Sequence, residues 1–179
     1  MEKSAARLII KERLAKLDNL SQKSEAICEA VKGVNLDAKT ILLYKALSKE
    51  VNVDSLIDYY LENSRVFLPK VKGDKMVLVE IDKNTQYEIG PFNIKEPYGL
   101  EIKPEDIKID VCITPLLGFD ESLNRIGKGK GYYDKFFEVN NCKKIGVAFE
   151  AQKIEDVEFS KLDVALDMVI TEDKIYANN

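Results

Sequence analysis

Apolar residues recur at Ala6, Ile10, Leu14 and Leu17, a spacing that predicts an amphipathic helix near residues 3 to 17. On another face of that helix, Lys3, Arg7 and Lys11 form a basic stripe at i, i+4 and i+8. A second helix is predicted after Ser21, with Ile27 and Val31 inward. The short run Ile41-Leu42-Leu43-Tyr44 reads as a buried strand. Asp54 is placed to cap a helix carrying Leu56, Ile57, Tyr60 and Leu61. Val66-Phe67-Leu68 follows as a strand stopped by Pro69, and Met76 to Ile81 as another. Gly90-Pro91 and Glu96-Pro97 punctuate a stretch without periodicity, which predicts loops, and Pro104-Glu105-Asp106 a short helical start. Asp110 to Thr114 predicts a strand ending at Pro115; a helix holding Tyr133, Phe136 and Phe137 comes later, then strands at Lys144 to Phe149 and Met168 to Thr171. Strands alternating with helices predict an α/β fold, a three-layer α/β/α arrangement around a mainly parallel sheet. No repeat or long linker divides the chain, so residues 1–179 are expected to form a single domain.

Composition narrows the chemistry. None of the 179 residues is a histidine, which excludes Ser-His-Asp and Cys-His nucleophile pairs, an HExxH zinc site and an imidazole proton shuttle. Catalysis must then rest on carboxylates, lysines, arginines, tyrosines, backbone amides or a bound metal. A net charge of -4 argues against a dedicated nucleic-acid binder. Cys28, Cys112 and Cys142 are odd in number and widely spaced, as suits reduced structural thiols rather than a disulfide framework or zinc site. No stretch approaches the length of a membrane span and the first residues lack a signal-peptide pattern, so a cytoplasmic location is expected.

Three of the nine glycines fall within Arg125-Ile126-Gly127-Lys128-Gly129-Lys130-Gly131-Tyr132-Tyr133-Asp134. Alternating glycines let backbone amides approach a bulky anion, while Arg125, Lys128, Lys130 and the following helix start add positive charge. A polyphosphate fits that description, with Asp134 placed to hold its magnesium ion. The segment is neither the P-loop nor the dinucleotide fingerprint. Two other readings stand beside it: a mobile basic surface turn over packed aromatics, and a single-strand nucleic-acid site that stacks bases on Tyr132, Tyr133 or Phe136. Against the latter, Tyr133, Phe136 and Phe137 have the i, i+3, i+4 spacing of a core-facing stripe.

The segment Arg125 to Asp134 resembles the ATP-binding signature of the 5-formyltetrahydrofolate cyclo-ligase family, and the resemblance runs through nearly the whole chain. Lys3-Ser4-Ala5-Ala6-Arg7 is similar to the family's N-terminal Lys-x-x-x-Arg, and Tyr44 through Glu50 and Val51 to its strand followed by a folate-site glutamate. Leu68-Pro69-Lys70-Val71 and Gly90 through Pro97 resemble two further landmarks, and Asp163 to Asp167 through Thr171-Glu172 the C-terminal acidic motif. The chain departs where Thr114 to Gly118 precedes Phe119-Asp120 in place of a Val-Pro-Gly turn. Leu78 replaces an aromatic residue at the wall of the pterin pocket, and Leu162 replaces a common histidine.

The resemblance implies ATP-dependent conversion of 5-formyltetrahydrofolate to 5,10-methenyltetrahydrofolate, with release of ADP and phosphate. It implies magnesium, ATP as co-substrate, and a monomer that contacts neither nucleic acid nor membrane. Catalytic roles fall to Arg125 and Lys130. ATP contacts fall to Lys3, Arg7 and the run Arg125, Ile126, Gly127, Lys128, Gly129, Lys130, Gly131, Tyr132 and Tyr133. Folate contacts fall to Lys45, Glu50, Lys128, Gly129, Lys130, Gly131 and Tyr132, and magnesium contacts to Asp134 and Asp163. Gln152 is a further candidate for the nucleotide site. Taken singly, each of these charges also reads as a solvated surface group. A regulatory nucleotide-binding module, a nucleic-acid binder and a different ATP-dependent ligase on the same scaffold remain as alternatives.

Overall fold

The computed structural model describes residues 1–160 and 163–178. Leu162 therefore lies outside the described residues. Helices α1 (Lys3–Lys16) and α2 (Leu20–Gly33) precede strand β1 (Thr40–Leu42), and α3 (Asp54–Leu61) leads into β2 (Arg65–Lys72). A hairpin returns as β3 (Lys75–Ile81), followed by the short strands β4 (Tyr87–Ile89), β5 (Lys95–Pro97) and β6 (Glu101–Ile102). The rest comprises β7 (Val111–Pro115), β8 (Gly118–Phe119), β9 (Arg125–Ile126), helix α4 (Tyr132–Val139), β10 (Lys143–Val147), β11 (Met168–Ile170) and β12 (Ile175–Ala177).

Eight strands form one sheet in the order β12-β11-β10-β7-β1-β2-β3-β6. The five central strands are parallel; β12 at one edge and β3 near the other run against them, and β6, antiparallel to β3, closes that edge in the direction of the central strands. Successive side chains of a strand point to opposite faces, and both faces here are covered. Ile41, Val66, Val111 and Ile113 join one hydrophobic cluster, while Leu42, Phe67 and Cys112 join the other. That is why these strands read as unbroken apolar runs. Ala6, Ile10 and Leu14 of α1, Ile27 and Val31 of α2, and Leu56, Ile57 and Tyr60 of α3 pack on the first face. Phe136 of α4 packs on the second, which completes the three layers. The three cysteines are buried free thiols.

Three local expectations are corrected. Pro69 does not stop β2, which continues to Lys72. β1 pairs only with Arg65 to Phe67, so from Leu68 onward β2 runs on as a ribbon with β3, where a missing N–H is tolerated. Asp54 begins α3 rather than capping it: Asn52 Oδ1 accepts from the Asp54 N–H at 2.9 Å, and the Asp54 carboxylate takes Lys45. The stretch around Gly90 and Glu96 is a small hairpin, β4 against β5, with a 3-10 turn at Pro91–Asn93.

The topology also fixes where a ligand can enter. β1 is flanked by parallel β2 on one side and parallel β7 on the other, and from β7 the chain moves away from β2, through β10 to β11. Connections that leave in opposite directions open a crevice at the carboxyl ends of the two strands between which the order reverses.

Candidate active site

The crevice predicted by the topology is present. A cavity of about 580 Å³ is lined by Tyr44 and Lys45, which follow β1, and by Pro115 and Leu116 at the end of β7. That volume lies within the usual range for small-molecule sites. One wall is apolar: Leu68, Pro69 and Val71 of β2, Met76 of β3, and Pro91 and Ile94 of the hairpin connection. The opposite side is basic and built by α1 and the glycine segment, with Lys3, Arg7, Arg125, Lys128 and Lys130 in the lining.

The glycine segment is a bridge between β9 and α4, and its backbone explains its composition. Gly129 has φ +98° and Gly131 φ +70°, so the chain twice enters the region that side chains disfavour before turning into the helix. Arg7 fastens the loop from α1: its Nε donates to the Gly127 carbonyl at 2.9 Å. Tyr132 fastens it from the other end, donating to the Gly73 carbonyl at the β2–β3 turn at 2.9 Å. The stripe on α1 is therefore not a solvated face over its first two members, whereas Lys11 is exposed.

Every carboxylate predicted at the site is held by a cation. Glu50 accepts from the Leu47 N–H at 2.8 Å and pairs with Lys128 of the glycine loop, which ties the expected folate side to the expected phosphate side. Asp134 pairs with Arg125 at 2.7 Å, and Asp163 with Lys3. Arg125 is only 7% exposed, lies beside the Tyr133 ring, and keeps a buried Nε with no hydrogen-bond partner among the described residues. Lys130 carries no ion pair or hydrogen bond among the described residues and stands exposed in the loop. Lys45 lines the cavity while bonded to Asp54 at 2.8 Å. Burial pushes the phenols of Tyr44 and Tyr133, both in the lining, well above their ordinary range, so both act as neutral groups.

No group of three or more acidic or thiol side chains is placed to hold a metal ion among the described residues. The oxygen donors suit magnesium nonetheless, because that ion typically uses one or two carboxylates and completes its shell with phosphate oxygens and water. Asp134 spends one oxygen on Arg125 and keeps the other without a hydrogen bond among the described residues. Asp163 spends both, Oδ1 on Lys3 and Oδ2 on the Ser160 N–H and hydroxyl.

Burial pushes the Asp163 carboxyl up, but the hydrogen bonds from Lys3 and Ser160 outweigh it and hold the group below its ordinary value. A depressed folded value means the contact stabilises the native state above the ordinary aspartate range and loses that effect as pH falls through the depressed value. We expect the denaturant midpoint of Asp163→Asn to lie below that of the wild type at neutral pH and to converge on it below about pH 4. A gap that stays constant with pH would contradict the assignment.

The structure brings together Lys3, Arg7, Lys45, Glu50, Arg125, Gly127 to Asp134 and Asp163 in one cavity lining. Three sequence assignments change. Ile126 does not line the cavity: its side chain is fully buried in the main core and its carbonyl accepts from Leu117 at 2.8 Å. Gln152 is structural, since its amide oxygen accepts from the Phe149 N–H at 2.7 Å and its nitrogen donates to the Leu116 and Leu117 carbonyls at 2.8 and 2.9 Å. Leu78 is fully buried in the second cluster and does not line the cavity, whereas Met76, two residues earlier on the same face of the strand, does. The hairpin residues Pro91, Ile94 and Glu96 also line the cavity. Their clustering in one segment was visible, but only the packing of β5 against β2 shows that it faces the site.

By fold this is an open α/β protein with its crevice at the topological switch point. It belongs to the 5-formyltetrahydrofolate cyclo-ligase family, which matches residues 2–172. The chain is similar to the probable 5-formyltetrahydrofolate cyclo-ligase of Caenorhabditis elegans, 31% identical over 190 residues that cover 95% of this chain and 92% of that protein. It is also similar to the probable enzyme of the same name from Schizosaccharomyces pombe, 29% identical with 99% and 98% covered. A solved structure, the Aquifex aeolicus 5,10-methenyltetrahydrofolate synthetase, superposes with a TM-score of 0.83 at 29% identity, covering 98% of this chain and 92% of that one.

Proposed function

We propose that this chain converts 5-formyltetrahydrofolate and ATP to 5,10-methenyltetrahydrofolate, ADP and phosphate by phosphorylating the formyl oxygen. The observation that carries the reading is the cavity itself, in which a basic glycine loop faces an apolar wall across the Lys128–Glu50 pair. One side suits a polyphosphate and the other a flat heterocycle.

The formyl oxygen on N5 is a poor leaving group. Its attack on the γ-phosphorus breaks the bond to the ADP oxygen and turns it into a good one; N10 then attacks the formyl carbon, and phosphate departs as N10 loses its proton. The demand on the protein is in-line positioning and neutralisation of charge, which histidine is not needed to meet. Lys3 and Arg7 hold the ATP phosphates with the amides of Lys128 to Gly131. Arg125 and Lys130 stabilise the transferring phosphoryl. Glu50, at the junction of the two sides, positions the N10 end of the folate, with Lys45 and Tyr132 beside it. Magnesium arriving with the nucleotide would be held by Asp134 and Asp163, and would supply charge neutralisation on the phosphates.

We further propose that the chain acts as a monomer and that residues 1–179 form one unit, since the lining draws on residues from Lys3 to Asp163. No helix among the described residues is long and apolar enough to cross a membrane. We also propose a cytoplasmic enzyme that contacts neither nucleic acid nor membrane; the net charge of -4 offers no basic surplus for a phosphate backbone. The chemistry has a direct test. When the formyl oxygen is labelled with oxygen-18, the label is expected in the released phosphate, because that oxygen leaves bonded to phosphorus. Label-free phosphate alongside methenyl product would rule the phosphorylated intermediate out.

A further inference from the structure

Four carboxylates line the cavity: Glu50, Glu96, Asp134 and Asp163. Three are occupied by Lys128, Arg125 and Lys3. The fourth, Glu96 on β5, makes no hydrogen bond or ion pair among the described residues. Its neighbour across the hairpin, Glu88, takes the Lys70 ammonium at 2.9 Å and leaves Glu96 without it. The Glu96 carboxylate is part-buried in the lining, with its hydrogen-bonding capacity unspent among the described residues.

Gly90 shows that this placement is built. Its backbone is ordinary extended chain, φ -90° and ψ -168°, so no conformational need calls for glycine there. A Cβ at that position would stand 2.6 Å from Glu96 Oε2 and 2.7 Å from its Cγ. The missing side chain reserves the space in which the Glu96 side chain rests, across the hairpin and into the cavity lining.

The pyrimidine edge of a reduced pterin presents two parallel donors, the N3–H and the C2 amino group. A carboxylate matches such a pair with two parallel hydrogen bonds, as it does a guanidinium. That edge lies across the bicycle from N5, where the formyl group reacts. Glu50 is bound to the phosphate loop through Lys128 and so belongs to the reacting end. The pyrimidine edge needs a second carboxylate, on the apolar side and away from the loop. We propose that Glu96 recognises the 2-amino-4-oxo edge of the pterin and thereby selects folates, with Gly90 as its positioning residue. This rests on the reading of the cavity as a folate site.

The test compares 5-formyltetrahydrofolate with its 2-desamino analogue by calorimetry on the full chain, without turnover. The wild type is expected to bind the analogue about tenfold or more weakly, the loss usual when a site built to hydrogen-bond a ligand meets one lacking the donor. Glu96→Ala is expected to bind both equally and weakly, with ATP affinity within about twofold of wild type. Gly90→Ala, which displaces the carboxylate without removing it, is expected to lose the same discrimination. Should Glu96→Ala not fold, Glu96→Gln, nearly isosteric and with one acceptor oxygen, is expected to lose most of it. Discrimination retained in the folded Glu96 variant, or absent in the wild type, would overturn the assignment. A wild-type protein that neither binds nor converts 5-formyltetrahydrofolate would instead overturn the folate reading beneath it.

Discussion

Lys130→Ala is expected to lower turnover by about a hundredfold or more and folate affinity by much less, the signature of a contact that strengthens in the transition state. Lys130 sits between the two glycines of positive φ, exposed in the cavity lining, with its charge unspent among the described residues. On the proposed mechanism it would follow the phosphoryl group as charge moves onto the ADP oxygen. Arg125→Ala is expected to match that loss and to add instability, because removing the buried guanidinium leaves Asp134 without its 2.7 Å partner. Single-turnover rates with saturating ATP measure the first effect, and denaturant midpoints the second. Unchanged turnover in both variants would end the assignment of these two residues.

Gly129→Val is the second large effect. At φ +98° a β-branched residue is strained by about 1–3 kcal/mol, and the added side chain grows from a point 3.8 Å from the Arg7 guanidinium. The loop is expected to leave its anion-cradling shape, raising the KM for ATP and lowering turnover by roughly ten- to a hundredfold. Far-ultraviolet circular dichroism should change little, because Gly129 is exposed and outside the helices and strands. Wild-type ATP kinetics in this variant would show that loop shape is not what holds the phosphates.

These effects trace to features of unequal visibility in the chain. The sheet was legible because its central strands are buried on both faces and so read as short apolar runs, as at Ile41–Leu43 and Val66–Leu68. The glycine loop was legible because positive φ and close approach demand glycine at fixed positions. Pairings distant in sequence were not: nothing local to Lys3 reports Asp163, and nothing local to Glu50 reports Lys128. Tyr44 shows the middle case, apolar enough to read as strand yet lying beyond β1, where its hydroxyl donates to Val51 at 2.7 Å and its ring lines the cavity. Edge elements were hardest. β4 and β5 pair over three residues and hold no periodicity, so only their contact with β2 reveals them as the rim of the site. Gln152 misled because a buried amide that caps a turn has the same composition signal as one that binds a ligand.

The absence of histidine excluded histidine-assisted nucleophiles at the start, and the cavity supplies cations, glycine amides and carboxylates in their place. We expect this set of groups to perform the cyclisation. The most direct measurement is the near-ultraviolet absorbance of the methenyl product on mixing the folded protein with 5-formyltetrahydrofolate, ATP and magnesium. We expect the absorbance to rise only when all three are present, with one ADP formed per methenyl group. A folded sample that binds ATP and 5-formyltetrahydrofolate yet gives no methenyl absorbance would contradict the account.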